Sequence, residues 1–239
     1  MADRIDKEMV SRGLVKTRSQ ASMLITQGDV FCNGKKVSKT GMKVSEIDLI
    51  EINQDQLYVS RGAYKLKKAI DDFNLDFKNK IIADVGASTG GFTQVCLEAG
   101  AQKVYAIDVG HDQLNPLLLS NERVINLEGT NIKFPVELPE KVDFCVVDLS
   151  FISIRRVFKN IMDLLNEDGK VIALIKPQFE AGKERMGKNG LISDGSREEI
   201  MHEVNDWFIE NNYSVLQKII SPIVGNKSGN VEYLYLIKG

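Results

Sequence analysis

The stretch Asp84-Val85-Gly86-Ala87-Ser88-Thr89-Gly90-Gly91-Phe92 ends a short apolar run and begins a helical pattern. Glycines at such a turn let the backbone approach a ligand closely, and α/β sheets bind cofactors at the carboxyl ends of their strands. A dinucleotide fingerprint would need glycine at 86, 88 and 91, but position 88 is serine, and no Gly-Lys-Ser/Thr follows to make a P-loop. The stretch therefore predicts a cofactor-binding turn of another kind.

Apolar runs of strand length alternate with helical stretches around this turn. Such alternation predicts an α/β sheet in which at least the first five strands are parallel. The last two runs are separated only by residues 222–230, too few for a crossover helix, so we expect an antiparallel hairpin at or near one side of the sheet. The seven predicted strands cover 80–85, 103–108, 124–128, 142–148, 170–176, 213–221 and 231–237.

Six parallel strands and a reversed seventh are the arrangement of the Rossmann-like methyltransferases. The turn resembles their S-adenosylmethionine motif, an acidic residue closing a strand before a glycine-rich loop, which implies that cofactor. Asp108 ends the second strand, where its carboxylate can accept both ribose hydroxyl protons, and Asn131 follows the third strand on the adenine side. The predicted cofactor-binding residues are Asp84, Gly86, Ala87, Ser88, Gly90, Gly91, Phe92, Asp108, Asn131 and Asp148.

The residues after the fourth strand bear on the methyl acceptor. Enzymes that methylate base amino groups carry Asp/Asn-Pro-Pro-aromatic there, but this chain has Asp148-Leu149-Ser150-Phe151. A carbon-five cytosine enzyme needs a nucleophilic cysteine, typically beside a proline, and neither Cys96 nor Cys145 adjoins one. Base methylation is therefore the disfavoured alternative, and oxygen is the predicted acceptor.

An oxygen acceptor such as a ribose 2′-hydroxyl ionises far above neutral pH, so it needs a base or a local positive charge. Lysine can serve in either way. Asp148 ends the fourth strand and Lys176 the fifth, on the rim of the cofactor turn, and Pro177 biases Lys176 to an extended backbone that projects from the rim. Lys65 precedes the sheet, and Glu232 enters the seventh strand.

In the order Lys, Asp, Lys, Glu, these four residues match the tetrad of the FtsJ-like ribose 2′-O-methyltransferases. The resemblance implies that Lys176 is the base or alkoxide stabiliser, that Asp148 orients it, that Lys65 helps to position the ribose and that Glu232 closes the network. Two plainer interpretations stay open. Lys65 could be a polar-face lysine of a helix over 60–73, and Glu232 could be a solvent-facing charge at a strand start.

The first sixty residues have a different pattern. Thr17 and Gln20 form a capping-box signature, Gly28 predicts the end of that helix, and Asn33-Gly34 predicts a hairpin after a strand over 30–32. A second short strand is predicted over 44–52. Residues 1–45 hold nine Lys and Arg against four acidic residues, although the whole chain has a net charge of −2, and such asymmetry points to a polyanion partner.

Residues 3–50 closely resemble the RNA-binding module named after ribosomal protein S-four. The motif consists of Arg4-Ile5-Asp6, Gly13, Thr17-Arg18, Ala21, Leu24-Ile25, Gly28, Val30 and Asn33-Gly34. The resemblance implies that the helix from Thr17 and the following hairpin face RNA and contact phosphates and helix shape. Solubilising charges on a structural cap are the alternative. The predicted RNA-binding residues are Arg4, Arg18, Lys35 and Lys36.

Together the two parts resemble the bacterial TlyA family of ribosomal RNA 2′-O-methyltransferases, many of them labelled hemolysin A. The resemblance implies methylation of a cytidine ribose, and the length of 239 residues favours large-subunit RNA. We expect an RNA-binding domain over 1–52, a linker over 53–60 and a methyltransferase domain over 61–239. Tyr58 and Val59 lie close to Lys65 in the chain, so the linker is predicted to couple RNA docking to catalysis.

The composition limits the remaining classes of protein to which the chain could belong. With 43% hydrophobic and 27% charged residues, the chain is typical of a soluble globular protein. Its longest apolar runs are far too short to span a bilayer, and its start has no apolar signal region. Three scattered cysteines, with His111 and His202, favour neither a metal site nor a disulfide framework. We expect a cytoplasmic enzyme without metal; a membrane-active toxin and a non-catalytic RNA-binding protein are the alternatives.

One further segment is expected to be a lid. Residues 177–197 directly follow Lys176 and contain four glycines and several basic residues. Unstructured loops of this length are usually functional or disordered. We therefore predict a long loop here that contacts RNA and orders on binding.

Overall fold

The protein forms two compact units, Met1–Arg61 and Gly62–Gly239. Part of the predicted linker, residues 53–57, lies outside the described residues, so the predicted domain limits stay a prediction. The computed structural model describes residues 3–15, 17–52, 58–187, 190–225 and 229–239.

The first unit contains two helices and two small sheets. Its elements are β1 (Asp3–Arg4), α1 (Ile5–Ser11), α2 (Arg18–Gln27), β2 (Val30–Cys32), β3 (Lys35–Lys36), β4 (Lys43–Val44) and β5 (Ile50–Ile52). The predicted cap is confirmed, because the Gln20 backbone N–H donates to Thr17 Oγ1 at 3.2 Å and Gly28 ends α2 in the left-handed conformation. The hairpin between β2 and β3 is confirmed as well, with positive φ at both Asn33 and Gly34.

The single strand predicted over 44–52 is wrong. The segment contains two strands in different sheets, since β4 pairs with β1 and β5 pairs with β2. A turn separates them, and side chains hold it closed. The Asp48 carboxylate accepts hydrogen bonds from the backbone N–H and the hydroxyl of Ser45, and Arg12 donates to the carbonyl oxygens of both residues.

The second unit is built on one seven-stranded sheet. Its elements are α3 (Ala63–Phe73), β6 (Ile81–Val85), α4 (Gly91–Glu98), β7 (Lys103–Ile107), α5 (Pro116–Leu119), β8 (Val124–Leu127), β9 (Val142–Val147), α6 (Phe158–Met162), β10 (Leu165–Ile175), α7 (Pro177–Glu180), α8 (Asp194–Glu210), β11 (Ser214–Ile220) and β12 (Tyr233–Lys238). The strand order is β11-β12-β10-β9-β6-β7-β8. β6 to β10 are mutually parallel, and β12 runs antiparallel to both of its neighbours. The predicted Rossmann-like sheet with a reversed last strand is confirmed.

The main core lies where the sheet meets α6 and α8. The Phe158 ring of α6 packs edge-to-face on Phe208 of α8, with ring centroids 4.9 Å apart, and Tyr235 of β12 lies beside Phe208. The central strands are almost entirely buried, as expected for a parallel sheet covered on both faces. This packing fixes the strand ends from which the site is built.

The prediction that the whole of 177–197 is a long loop is wrong, because helices occupy both of its ends, whereas its contact with RNA stays a prediction. Pro177 begins α7 immediately after β10, a 3-10 turn covers Lys183–Arg185, and α8 begins at Asp194. Ser193 caps α8, because its hydroxyl oxygen accepts the backbone N–H of Ser196. Within the described ranges, no helix has the length and hydropathy to cross a membrane.

Candidate active site

The carboxyl ends of β6, β7 and β9 place two acidic residues on either side of the glycine-rich turn. Val85 of β6 is in register with Ile107 of β7 and with Val147 of β9. Asp108 and Asp148 follow these partners directly, so they flank the turn at the level where β6 ends. The prediction that strand ends gather these carboxylates around the turn is therefore confirmed.

Gly86 is required by a close approach between two backbone segments. Its φ is +89°, a conformation that residues with a Cβ rarely adopt, and an ideal Cβ would lie 2.5 Å from the Asp148 carbonyl oxygen. Gly90 also has a positive φ and packs under the side chains of Leu114 and Leu118. The two glycines let the turn lie flat against its neighbours.

Asp108 holds the turn through its carboxylate. Oδ2 accepts the backbone N–H of Ser88 at 2.8 Å, and Oδ1 accepts that of Gly110 at 2.8 Å. A carboxylate has about four lone-pair positions, so each oxygen can still accept a further hydrogen bond. Asp108 therefore both shapes the turn and presents acceptors beside it.

Asp84 is fully buried at the end of β6. The Thr93 hydroxyl donates to its Oδ2 at 2.6 Å, whereas Oδ1 is buried with no hydrogen-bond partner among the described residues. Burial raises the pKa of this carboxyl group to about 7, and the nearby Asp148 and Asp108 carboxylates raise it further, against the Thr93 hydrogen bond. The orphaned oxygen marks a place for a polar or cationic ligand group.

The other predicted cofactor-binding residues occupy varied environments. Ser88 is exposed with a positive φ, and Gly91 is the first residue of α4. The side chains of Ala87 and Phe92 are buried, so their backbone is what the turn presents. Asn131 is exposed, and its side-chain oxygen accepts the backbone N–H two residues further on.

The structure brings the four predicted catalytic residues together. Lys65 Nζ lies 2.6 Å from Glu232 Oε2 and 4.0 Å from Asp148 Oδ2, and Lys176 Nζ lies 2.5 Å from Asp148 Oδ1. The order Glu, Lys, Asp, Lys alternates in charge and sums to zero. Lys65 of α3 and three residues that directly flank β9, β10 and β12 thus form one connected network.

Burial decides between the interpretations that the sequence left open. Lys65 is only 4% exposed and Glu232 only 3% exposed. Lys65 is therefore not a solvated lysine on a polar helix face, and Glu232 is not a solvent-facing charge. A buried ion pair of this kind is weak evidence for stability, because desolvation offsets much of the attraction.

Lys176 has further neighbours that the sequence reading did not assign. It has the predicted extended backbone, and its ammonium donates to Ser150 Oγ at 3.0 Å and lies 5.8 Å from the Phe179 ring centroid. Phe151 lies against Phe179 with centroids 5.3 Å apart. It is 85% exposed with φ +66°, unusual for a bulky residue. Ser150 and Phe151 follow Asp148 closely in the sequence, and this proximity is the feature from which their place beside the site could have been predicted.

In the first unit, Asp6 connects two of the predicted RNA-binding residues. Arg4 donates to both oxygens of the buried Asp6 carboxylate, and Arg18 donates to Oδ2 at 2.8 Å. These ion pairs hold the pKa of Asp6 well below its usual range. Lys35 and Lys36 form β3 and are exposed. Two guanidinium groups are thus held side by side, while the two lysines extend from the hairpin.

Family models match both parts of the chain. The model of the FtsJ-like methyltransferases matches residues 58–238. The model of the S4 domain, the module named after ribosomal protein S-four, matches residues 3–50. Each match contains the residues described above for its part of the chain.

Similar proteins extend over almost the whole sequence. "Hemolysin A" of Brachyspira hyodysenteriae is 42% identical, covering 97% of this chain and 98% of its own. The "16S/23S rRNA (cytidine-2'-O)-methyltransferase TlyA" of Mycobacterium tuberculosis is 37% identical over 98% of this chain and 89% of its own, and the "23S rRNA (cytidine-2'-O)-methyltransferase TlyA" of Campylobacter jejuni is 33% identical over 95% and 96%. A solved structure of a presumed hemolysin from Streptococcus thermophilus has a TM-score of 0.74, with 38% identity, covering 99% of this chain and 88% of that one.

Proposed function

The chain belongs to the TlyA (hemolysin A) family of FtsJ-like methyltransferases with an S4 domain, and from this premise we propose that it methylates a ribose 2′-hydroxyl of ribosomal RNA, most specifically of a cytidine. S-adenosylmethionine is the methyl donor. The observation that carries the proposal is the buried network in which Asp148 lies between Lys65 and Lys176. Such a network suits an oxygen acceptor, which needs proton removal or charge stabilisation.

Lys176 is the residue that acts on the acceptor oxygen. Its nitrogen has three positions for hydrogen-bond partners: Ser150 Oγ accepts from one of them, and Asp148 Oδ1 lies beside the nitrogen as an ion-pair partner. The remaining position is available to the ribose oxygen. There Lys176, as the neutral amine, accepts the 2′-hydroxyl proton on its nitrogen lone pair, or, as the ammonium, donates an N–H to that oxygen and stabilises its negative charge while the new carbon–oxygen bond forms.

Asp148, Lys65 and Glu232 keep Lys176 in place. Asp148 forms an ion pair with Lys176 through one oxygen and lies near Lys65 through the other, while Glu232 accepts a hydrogen bond from Lys65 at 2.6 Å. Because the four charges sum to zero, the network can be buried without a large net charge. Preorganised in this way, it does not need to rearrange during the transfer.

The strand ends provide groups that fit S-adenosylmethionine, which supplies an electrophilic methyl group when bound. The buried Asp84 oxygen without a partner suits the cofactor's ammonium group, and the Asp108 carboxylate suits the ribose hydroxyls. The glycine-rich turn over 86–91 suits close approach of its backbone to a ligand, and Gly86 itself lies against the backbone of Asp148, where a Cβ would collide. Asn131 and the backbone of Ala87, Ser88 and Phe92 complete the proposed site.

The first unit is proposed to bind the RNA. Arg4 and Arg18, held on Asp6, present paired guanidinium groups that suit phosphates, and Lys35 and Lys36 add two point charges from the hairpin. We place the enzyme in the cytoplasm, where ribosomal RNA is found. Large-subunit RNA is the proposed target, because the names of the relatives from Mycobacterium tuberculosis and Campylobacter jejuni both include 23S rRNA, whereas only the first includes 16S rRNA.

The test is methyl transfer from radiolabelled S-adenosylmethionine to isolated large and small ribosomal subunits. We expect label on the large subunit with the native enzyme and with Lys218→Ala, an exposed lysine of β11 that serves as the control. With Lys176→Ala we expect a loss of at least about 100-fold in rate, in the range of general acid–base catalysis. Cofactor affinity should stay unchanged by calorimetry.

The position of the label identifies the acceptor atom. Alkali cleaves RNA through the 2′-oxygen, so ribose methylation leaves an alkali-resistant dinucleotide. Label in alkali-sensitive material would instead indicate base methylation and contradict the proposed acceptor. Cofactor binding without transfer to either subunit would favour the non-catalytic RNA-binding alternative.

A further inference from the structure

Glu180, the last residue of α7, makes an unusually complete set of contacts for a residue outside the tetrad. It is 5% exposed. Its Oε2 accepts the Ser153 hydroxyl at 2.6 Å and Arg155 Nε at 3.2 Å, and its Oε1 accepts the Ile154 backbone N–H at 2.8 Å. Arg155 Nη2 also donates to the Glu180 carbonyl oxygen at 2.8 Å. One buried carboxylate thus ties α7 to the segment after β9.

These two segments are the ones that carry the catalytic pair. Asp148 and then residues 149–155 follow β9, whereas Lys176 and then α7 follow β10. The parallel pairing of β9 with β10 reaches only Val147 and Ala173, so the ladder ends before either catalytic residue. Beyond the end of the ladder, hydrogen bonds that Glu180 accepts from residues 153–155 continue the connection between the two strand ends.

We propose that Glu180 is a positioning residue for methyl transfer, which keeps Lys176 within reach of Asp148 and Ser150 by joining α7 to residues 153–155. The inference rests on the proposed function of Lys176. Glu180 itself does not touch the tetrad in the described contacts; it acts through the backbone of α7, whose first residue follows Lys176.

The chemistry of the contact favours positioning over simple stabilisation. Two loops could be joined by apolar packing, which is non-directional. A buried carboxylate instead incurs a desolvation penalty, and burial raises the pKa of Glu180 against the hydrogen bonds that lower it. The carboxylate contributes a fixed geometry, because three donors from consecutive residues set both the distance and the orientation of α7 relative to residues 153–155.

The test compares Glu180→Gln with the matched control Glu203→Gln. Glu203 accepts both Arg185 Nη1 and Nη2, so the control also removes a charge from a Glu–Arg pair, but at an exposed site of α8. We expect Glu180→Gln to lower kcat roughly 10- to 100-fold, the scale of a misplacement near 1 Å. Cofactor affinity should stay within about twofold, and Glu203→Gln should match the native enzyme. Native kcat in Glu180→Gln would overturn the proposal.

A second readout separates positioning from a loss of folded protein. Loss of folded protein lowers the concentration of active enzyme, which calorimetric cofactor binding counts, whereas a displaced Lys176 lowers kcat per cofactor-binding molecule. Reductive methylation with ¹³C-formaldehyde gives each lysine an NMR signal, and Lys176→Arg assigns the relevant one. A chemical shift of that signal that is identical in the native protein and in Glu180→Gln at the same pH would contradict the proposal.

Two other outcomes can be distinguished from a positioning effect: poor folding of Glu180→Gln, and a failure of the proposed function. Ser153→Ala removes only one hydrogen bond from Glu180 and should give the same changes with smaller size. If the native enzyme transfers no methyl group, the proposed function fails; the Lys176 NMR signal still tests the effect of Glu180, because it requires no turnover.

Discussion

Replacing Asp84 with asparagine should stabilise the second unit at pH 8 and do so much less at pH 5. Asp84 is fully buried, its Oδ2 accepts the Thr93 hydroxyl, and burial raises its pKa to about 7 from an ordinary value of 3.8. A raised acid pKa means that the folded state binds more protons than the unfolded state between these two values. Stability is therefore lost as the pH rises through that window.

The size of the effect follows from the shift of about 3 pKa units. At about 1.4 kcal/mol per unit, the folded protein is destabilised by about 4 kcal/mol once the pH exceeds 7. Less than half of this cost is present at pH 5, where only the unfolded chain ionises the group. The native protein should thus lose about 3 kcal/mol through Asp84 between pH 5 and pH 8, and Asp84→Asn should not.

Urea unfolding at the two pH values measures this difference. Trp207, the single tryptophan, lies in α8, so its fluorescence reports on the second unit. The stability of Asp84→Asn relative to the native protein should increase by about 3 kcal/mol from pH 5 to pH 8. The unpaired amide of the new asparagine costs roughly 1–3 kcal/mol, but this cost is the same at both pH values and cancels in the comparison.

Thr93→Val is a second variant, and the change in its stability between pH 5 and pH 8, relative to the native protein, should have the opposite sign. It removes the hydroxyl that stabilises the ionised carboxylate, so it should destabilise the protein more at pH 8 than at pH 5. A stability difference for Asp84→Asn that changes by less than about 0.5 kcal/mol between the two pH values would refute the reasoning, because no proton would then be linked to folding at this site.

Three other substitutions test separate parts of the molecule. Ser150→Ala removes one acceptor from Lys176 and should lower kcat about 10-fold without changing cofactor affinity by calorimetry. Phe151→Ala removes an exposed ring beside the site and should weaken RNA binding by about 1–3 kcal/mol if a base stacks there, with cofactor affinity as the control. Replacing Lys35 and Lys36 together with alanine should reduce the slope of log K against log salt for RNA binding by about 1.5–2, measured by fluorescence anisotropy; an unchanged slope would place RNA elsewhere.

Features set by local chemistry were predictable from the sequence. The Thr17 cap, the left-handed Gly28 and the Asn33-Gly34 turn each depend on a few neighbouring residues, and each is confirmed. The strand-end positions of Asp108 and Asp148 were predictable as well, because parallel strands meet at one rim.

Features set by distant contacts were not predictable from the sequence. Burial of Lys65 depends on Glu232, 167 residues away, so helical spacing alone left it as a polar-face lysine. Glu180 received no role, because its partners lie 25 to 27 residues earlier. Glycines over 177–197 suggested an open loop, yet Pro177 begins a helix at once and Ser193 caps another.

The charges on the rim explain why a cationic donor and its product would not bind equally well. The tetrad is neutral, and both of its lysines lie beside Asp148. Asp108, by contrast, accepts only backbone amides in the described contacts, so the cofactor side of the rim keeps the negative charge of that carboxylate, whereas burial raises the pKa of Asp84 to about 7. S-adenosylmethionine has a net charge of +1, which falls to zero when the sulfonium loses its methyl group. Attraction to the Asp108 carboxylate therefore favours binding of the donor over binding of the spent product, and the transfer itself weakens the electrostatic attraction between the product and the site.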